Sequence, residues 1–190
     1  LPFNPQIFDQ KNEIIISSDL CNIEIVEKTI QRYFSPPYFP IDVVSLLPNI
    51  KFLPFNTVQE KLDKHFSLSS IKLNHPGGST GYKLKRKNTS FIFLCDNEFE
   101  EDQLKKLTAF SAEADLLVWD GMFTNKELID KKGWGHSSIE QAIDFNAGAN
   151  CKKMVITHHS PHRSDKELDQ IAVELPEVFT LARDGLEIKV

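Results

Sequence analysis

The sequence predicts a fold of the α/β or α+β class, in which helices cover β-sheets. Its first half consists mainly of short apolar runs typical of strands, and from about residue 102 helical segments alternate with short apolar strands. The length of 190 residues and the hydrophobic content of 41% are those of an ordinary globular chain with one core. We therefore predict a single domain over residues 1–190.

The first half begins with a predicted strand at residues 11–17 and an amphipathic helix at residues 22–34. The helix should turn four side chains toward a core: Ile23, Ile25, Val26 and Ile30. Prolines at positions 36, 37 and 40 end it, because proline cannot donate a helical hydrogen bond. Further strands are predicted at residues 50–53, 69–73, 81–85 and 89–94, with turns at Gly77-Gly78 and at the basic tip 85–88.

The second half contains predicted helices at residues 102–112, 125–130, 137–147 and 164–175. Strands are predicted at residues 115–119 and 153–157, and two terminal strands within residues 179–190. Two helices have a capping-box signal, in which a serine accepts a backbone hydrogen bond and a glutamate returns one. These signals run from Ser137 to Glu140 and from Ser164 to Glu167.

Composition limits the functional classes. The formal net charge of -5 disfavours nonspecific nucleic-acid binding, although a local basic groove remains open. Cys21, Cys95 and Cys151 show no CxxC spacing, so we expect neither a disulfide framework nor a zinc ribbon but a reducing, cytoplasmic location. No apolar run approaches the roughly 20 residues of a spanning helix, and the N-terminal residues lack the pattern of a signal peptide.

Four polar residues stand at the ends of apolar strands or at the start of a helix: His75, Asp96, His136 and His158. Strand ends in α/β sheets are where ligand crevices form. Two histidines and a carboxylate suit zinc, manganese or iron. Each residue also has a structural interpretation on its own, as a turn histidine, an acid that caps a turn or a residue at a helix entry.

The segment VITHHSPHRSD at residues 155–165 places three of the six histidines close together. Neighbouring side chains of a strand point to opposite faces, so at most one of His158 and His159 faces a given site. His136 precedes a predicted helix N-terminus, where backbone amides and the helix dipole favour a bound anion.

Taken together, LNHPGGSTGY, FIFLCDNE, DLLVWDGMF, GWGHSSIEQA and VITHHSPHRSD resemble the C-terminal portion of a metallo-β-lactamase-fold hydrolase. The resemblance is strongest to the branch of ribonuclease Z and cyclic phosphodiesterases. It implies an α/β fold, specifically an αββα sandwich that is incomplete at its N-terminus. The family's histidine-rich loop, HxHxDH, is absent from the sequence, and in relatives it precedes a stretch like LPFNP. We therefore expect the chain to begin downstream of that loop.

The resemblance also implies roles for individual residues. It makes His75 and His158 ligands of two divalent metal ions, zinc first and manganese or iron as alternatives, with Asp96 bridging both. His136 would contact the scissile phosphate and protonate the leaving oxygen, while Asp120 and Ser137 would lie behind the metal ligands or beside the substrate. His159 and His162 would flank His158.

The function expected from these features is a metal-dependent hydrolase, acting as a phosphodiesterase on a cyclic nucleotide or a similar small phosphodiester. Two alternatives stay open: a noncatalytic nucleotide- or partner-binding module with an incomplete metal site, and a thioester or lactone hydrolase of the same fold. Nucleic acid is disfavoured as a partner, a membrane is not expected, and a homodimer that completes the pocket stays open.

Overall fold

The structure is a computed structural model that describes residues 5–9, 11–46, 49–62 and 64–190. The chain divides into two compact units, Leu1–Asp63 and Lys64–Val190, which are described separately. The stretch LPFN, from which the position of the missing histidine-rich loop was inferred, occupies positions 1–4 and lies outside the described residues. The expectation of a single domain remains a prediction.

The first unit is a small α/β assembly around a two-stranded parallel sheet. Its elements are a 3-10 helix Pro5–Phe8, β1 Ile14–Ile16, α1 Ile23–Tyr33, α2 Val43–Leu46, β2 Ile50–Phe52 and α3 Phe55–Lys61. The core contains Ile7, Val43 and Ile50. The prediction that Ile25 faces the core is wrong: its side chain is 55% exposed, because it lies about 200° around the helix from Ile23.

The second unit contains a six-stranded mixed sheet in the order β3-β4-β5-β6-β7-β8. Its elements are β3 Phe66–Leu73, β4 Ser79–Arg86, β5 Thr89–Leu94, α4 Glu101–Ser111, β6 Leu116–Asp120, α5 Asn125–Leu128, α6 Ile139–Ala149, β7 Met154–Thr157, α7 Asp165–Glu174 and β8 Phe179–Leu181. Strands β3 to β5 are antiparallel neighbours, and β5 to β8 are parallel neighbours. The prediction of two terminal strands is wrong in its second half, because the described chain after the turn at Arg183 joins no strand ladder.

Helices α4, α6 and α7 contribute Leu107, Phe145 and Leu168 to one core with the sheet. An aromatic contact fixes α6 on the sheet: the Trp119 and Phe145 ring centroids are 4.9 Å apart. The Trp119 indole N–H also donates to the Ser138 carbonyl over 3.1 Å. In the described parts of the chain, no helix is long and apolar enough to cross a membrane.

The start of α6 differs from its prediction by one residue. Ser138, not Ser137, caps the helix, and Gln141 returns the hydrogen bond in place of Glu140. Ser137 cannot do so because its hydroxyl donates to the Asn97 carbonyl and accepts from the Phe99 amide. The predicted capping box of α7, from Ser164 to Glu167, is confirmed.

Gly121, directly after β6, allows β6 and β7 to pack closely. A Cβ atom at this position would lie 2.1 Å from Ile156 Cγ2. We expect Gly121→Ala to lower the free energy of unfolding by about 1–3 kcal/mol, because a buried neighbour must move. Denaturant titration measures the change. Gly148→Ala is the control, since its added methyl group would meet Thr108 Cγ2 at an ordinary contact distance of 3.5 Å. Equal stability of wild type and Gly121→Ala would contradict this packing.

Candidate metal centre

The candidate site lies at the carboxyl ends of three neighbouring parallel strands, β5, β6 and β7. Asp96 follows β5 by two residues, Asp120 is the last residue of β6, and His158 comes directly after β7. Parallel pairing places these chain ends at the same edge of the sheet. This edge is where α/β sheets usually bind ligands.

Four side chains converge there: Asp96, Asp120, His136 and His158. One nitrogen or oxygen of each lies within 4.8 Å of the corresponding atom of every other. His158 Nδ1 is 3.3 Å from Asp96 Oδ1 and 3.7 Å from Asp120 Oδ2. The structure therefore brings together three of the predicted site residues, Asp96, His136 and His158. It places Asp120, which was expected behind the ligands or beside the substrate, in the same group.

The donor atoms suit a divalent cation. The distances distinguish a pair of side chains that fits around a cation from a pair that is hydrogen-bonded. Ligands bound tetrahedrally at about 2.0–2.1 Å from zinc lie about 3.3 Å from each other. The separation of 3.3 Å between Asp96 Oδ1 and His158 Nδ1 matches that value. Asp96 and His158 therefore fit as ligands of one cation.

Asp120 and His136 form a shorter pair, with Asp120 Oδ2 and His136 Nδ1 2.8 Å apart, which is a hydrogen-bond distance. The Asp120 carboxylate is fully buried and also accepts from the Asn97 and Met122 amides, each over 3.2 Å. These bonds fix the carboxylate, and the carboxylate in turn fixes the His136 ring. Nε2 is then the ring atom of His136 that can exchange a proton with a substrate.

The backbone is strained at both residues that fit as ligands. Asp96 has a φ of 56° and His158 a φ of 62°, so both adopt the left-handed conformation that non-glycine residues rarely use. Such residues cluster at binding and active sites, where the surrounding structure holds them in place. The two turns redirect the chain at the ends of β5 and β7.

His75 lies beside this group and not within it. Its ring centroid is 5.6 Å from that of His136, and its Nδ1 accepts a hydrogen bond of 3.4 Å from the Gly77 amide. The backbone at Gly135 packs against the ring, since a Cβ atom there would lie 2.4 Å from His75 Cδ2. The role of His75 as a metal ligand remains a prediction.

The two adjacent histidines that follow β7 point in different directions, although neither belongs to the strand. His158 points into the group, whereas the His159 ring nitrogen Nε2 lies 3.2 Å from the Ala182 carbonyl, on the side of β8. Burial lowers the pKa of His159, which favours the neutral form of its ring. Burial, together with the Asp120 and Asp96 carboxylates, raises the pKa of the neighbouring Cys95 thiol.

Two backbone amides at the start of α6, where a phosphate is expected, have partners within the protein. The Ile139 amide donates to the Phe123 carbonyl over 2.9 Å, and the Gln141 amide donates to the Ser138 hydroxyl. The hydroxyl of Ser137 is likewise used by the backbone. These bonds hold the segment that carries His136, and phosphate binding at the helix start remains a prediction.

Two residues after Asp96 support the site and were missed in the sequence. Buried Asn97 accepts the Asn74 amide through Oδ1, and its own amide donates to Asp120. The carboxylate of Glu98 accepts the Gly133 and Gly135 amides over 2.7 and 2.8 Å. The only feature of the sequence that pointed to Asn97 and Glu98 was their position directly after Asp96, in the run CDNE.

The sheet with its packed helices has the architecture of the metallo-β-lactamase class. Residues 45–159 match the beta-lactamase superfamily domain, and the chain belongs to that family. The predictions of the family and of the α/β fold class are thereby confirmed.

Curated relatives that match lie in the ribonuclease Z branch. Ribonuclease Z of Treponema denticola is 31% identical over 55% of this chain and 34% of its own length. Ribonuclease Z of Prochlorococcus marinus is 32% identical over the same shares of the two chains. The chain thus matches about a third of the length of these curated relatives.

Solved structures share the fold. Human tRNase Z, short form, superposes on 92% of this chain and 66% of its own, with a TM-score of 0.59 and 19% identity. A diphosphatase from the PhnP family covers 92% of this chain and 57% of its own, with a TM-score of 0.55 and 14% identity. At these identities the likeness establishes the fold alone.

Proposed function

We propose that this chain contributes metal ligands and the proton donor to the active site of a metal-dependent phosphodiesterase. One observation carries the proposal: the donor atoms of Asp96, Asp120, His136 and His158 lie within 4.8 Å of one another at the carboxyl ends of parallel strands. The relatives named ribonuclease Z and the diphosphatase from the PhnP family support a phosphodiester or diphosphate substrate.

Asp96 and His158 would hold a divalent cation, and His75 would join them or hold a second one. When bound, divalent cations of this kind activate a water molecule and neutralise charge on phosphate oxygens. Zinc is the ion we favour, with manganese or iron as alternatives, since imidazole and carboxylate ligands suit all of them.

His136 would give a proton to the leaving oxygen through Nε2. The Asp120 carboxylate on Nδ1 holds the ring in one orientation and accepts a hydrogen bond from the imidazolium form. Because Asp120 is buried and also bonded to the Asn97 and Met122 amides, the ring needs little rearrangement during proton transfer.

The substrate that we propose is a small phosphodiester such as a cyclic nucleotide, in agreement with the acidic net charge of -5. The relatives' names keep RNA as a second substrate class, one that a local basic surface would have to bind.

The free thiols of Cys21, Cys95 and Cys151 support our proposal of a cytoplasmic location.

Hydrolysis of bis(4-nitrophenyl) phosphate by the full-length protein, with zinc or manganese added, tests the proposal. We expect turnover that EDTA abolishes and that Asp96→Asn lowers at least about 100-fold, because a weaker ligand replaces a carboxylate at the cation. Asp169→Asn is the matched control, since this exposed acid in α7 pairs with Arg183. Metal-independent hydrolysis would refute the proposal. No hydrolysis with any divalent metal would also refute it, in favour of a noncatalytic binding module.

A further inference from the structure

The loop KKGWG at residues 131–135 carries an exposed tryptophan beside the candidate metal centre. Trp134 leaves 56% of its surface exposed, whereas Trp119 is 1% exposed in the core. A large flat aromatic side chain on the surface is unusual and marks contact sites for partners or ligands.

The backbone of this loop is held in a defined conformation. The Gly133 and Gly135 amides donate to the two oxygens of the Glu98 carboxylate, over 2.7 and 2.8 Å. Both glycines have positive φ angles, 84° and 89°, which other residues adopt only with strain. The Trp134 amide adds a hydrogen bond of 3.1 Å to the Lys131 carbonyl. The indole is therefore presented by an ordered turn.

One buried aromatic ring lies between the Trp134 indole and His136 of the candidate metal centre. Phe123 lies with its ring centroid 6.5 Å from that of Trp134 and 6.2 Å from that of His136. On the other side, the Gly135 backbone packs against the His75 ring. A ligand on the indole would thus lie next to the group that faces the scissile phosphate in the proposed function.

Charge and space around the indole suit a nucleotide. The Lys131 ammonium lies 4.1 Å from the centroid of the indole ring. Lys132 lines an adjoining cavity of about 420 Å³ together with Asn74, His75, Glu98 and Glu100. The loop therefore brings an aromatic ring on which a base could stack close to two ammonium groups, Lys131 over the indole and Lys132 3.9 Å from the Glu100 carboxylate.

We propose that Trp134 stacks on the nucleobase next to the scissile phosphate, so that the substrate is a nucleotidyl phosphodiester. This inference rests on the proposed function, because it adds a specificity-determining residue to the same site. It separates nucleotides from phosphodiesters that carry no base, through a contact that does not involve the reacting atoms.

Binding is measured first, by tryptophan fluorescence with AMP as the probe and ribose 5-phosphate as the base-free comparison. The part of the emission change that is lost in Trp134→Leu reports Trp134. We expect saturable quenching by AMP and none by ribose 5-phosphate. In equilibrium dialysis, Trp134→Leu should weaken AMP binding about 10-fold, Trp134→Phe should retain it, and Phe93→Leu, which removes another exposed aromatic ring, should leave it unchanged. Equal AMP affinity of Trp134→Leu and wild type would overturn the inference.

Kinetics then separate this inference from the proposed function. Thymidine 5′-(4-nitrophenyl phosphate) and methyl 4-nitrophenyl phosphate have the same leaving group, so the ratio of their kcat/KM values isolates the nucleoside. We expect Trp134→Leu to lower this ratio about 10-fold while methyl 4-nitrophenyl phosphate is hydrolysed as by wild type. An unchanged ratio would refute the role of Trp134 and leave the phosphodiesterase intact, whereas failure of wild type to hydrolyse either diester would refute the phosphodiesterase.

Discussion

Replacing His136 with alanine is expected to lower kcat for a phosphodiester about 10²–10⁴-fold, the usual contribution of a positioned proton donor. The bound metal should stay, because Asp96 and His158 form the pair whose spacing fits a cation, while His136 is engaged with Asp120 at 2.8 Å. Steady-state kinetics and metal analysis of the same preparation give both readouts.

The matched control is His162→Ala, which removes an exposed imidazole from the segment that also carries His158. It should change neither turnover nor metal content. If His136→Ala instead lost its metal together with its activity, His136 would be a ligand, and the proton-donor role would be wrong.

Replacing Asp120 with alanine is expected to lower the free energy of unfolding by about 3–5 kcal/mol, because three partners of the buried carboxylate each lose a hydrogen-bond acceptor. The substitution leaves the His136 ring and the Asn97 and Met122 amides without their acceptor, in a place that is 0% exposed. Turnover should fall as well, because the His136 ring loses the group that orients it. Denaturant titration followed by circular dichroism measures the change in stability.

Asp169→Ala serves as the comparison, since its carboxylate is on the surface and its ion pair with Arg183 is exposed to solvent. This variant should unfold at the same denaturant concentration as wild type. An Asp120→Ala variant of wild-type stability would mean that the buried hydrogen bonds of Asp120 do not hold the strand ends together.

The positions of Asp96 and His158 could be predicted because each follows an apolar run that reads unambiguously as a strand. Parallel strands bring such chain ends to one edge, so convergence follows from the pattern. The choice between His158 and His159 required the family position as well, since alternation alone says only that they diverge.

Other features could not be predicted, because they depend on contacts between distant segments. The hydrogen bond between Asp120 and His136 exists only after β6 and the segment before α6 are packed together. Helices α2 and α3 are too short to be stable without tertiary packing, so no local periodicity indicated them. The cap of α6 shifted to Ser138 because a distant loop occupies the hydroxyl of Ser137.

The most direct test of the account is anomalous diffraction from crystals of the full-length protein grown with zinc or manganese. We predict an anomalous peak in contact with both the Asp96 carboxylate and the His158 imidazole, with His136 bonded to Asp120 beside it. A metal bound elsewhere, with Asp96 and His158 outside its coordination sphere, would contradict the central claim that this strand edge is a metal centre.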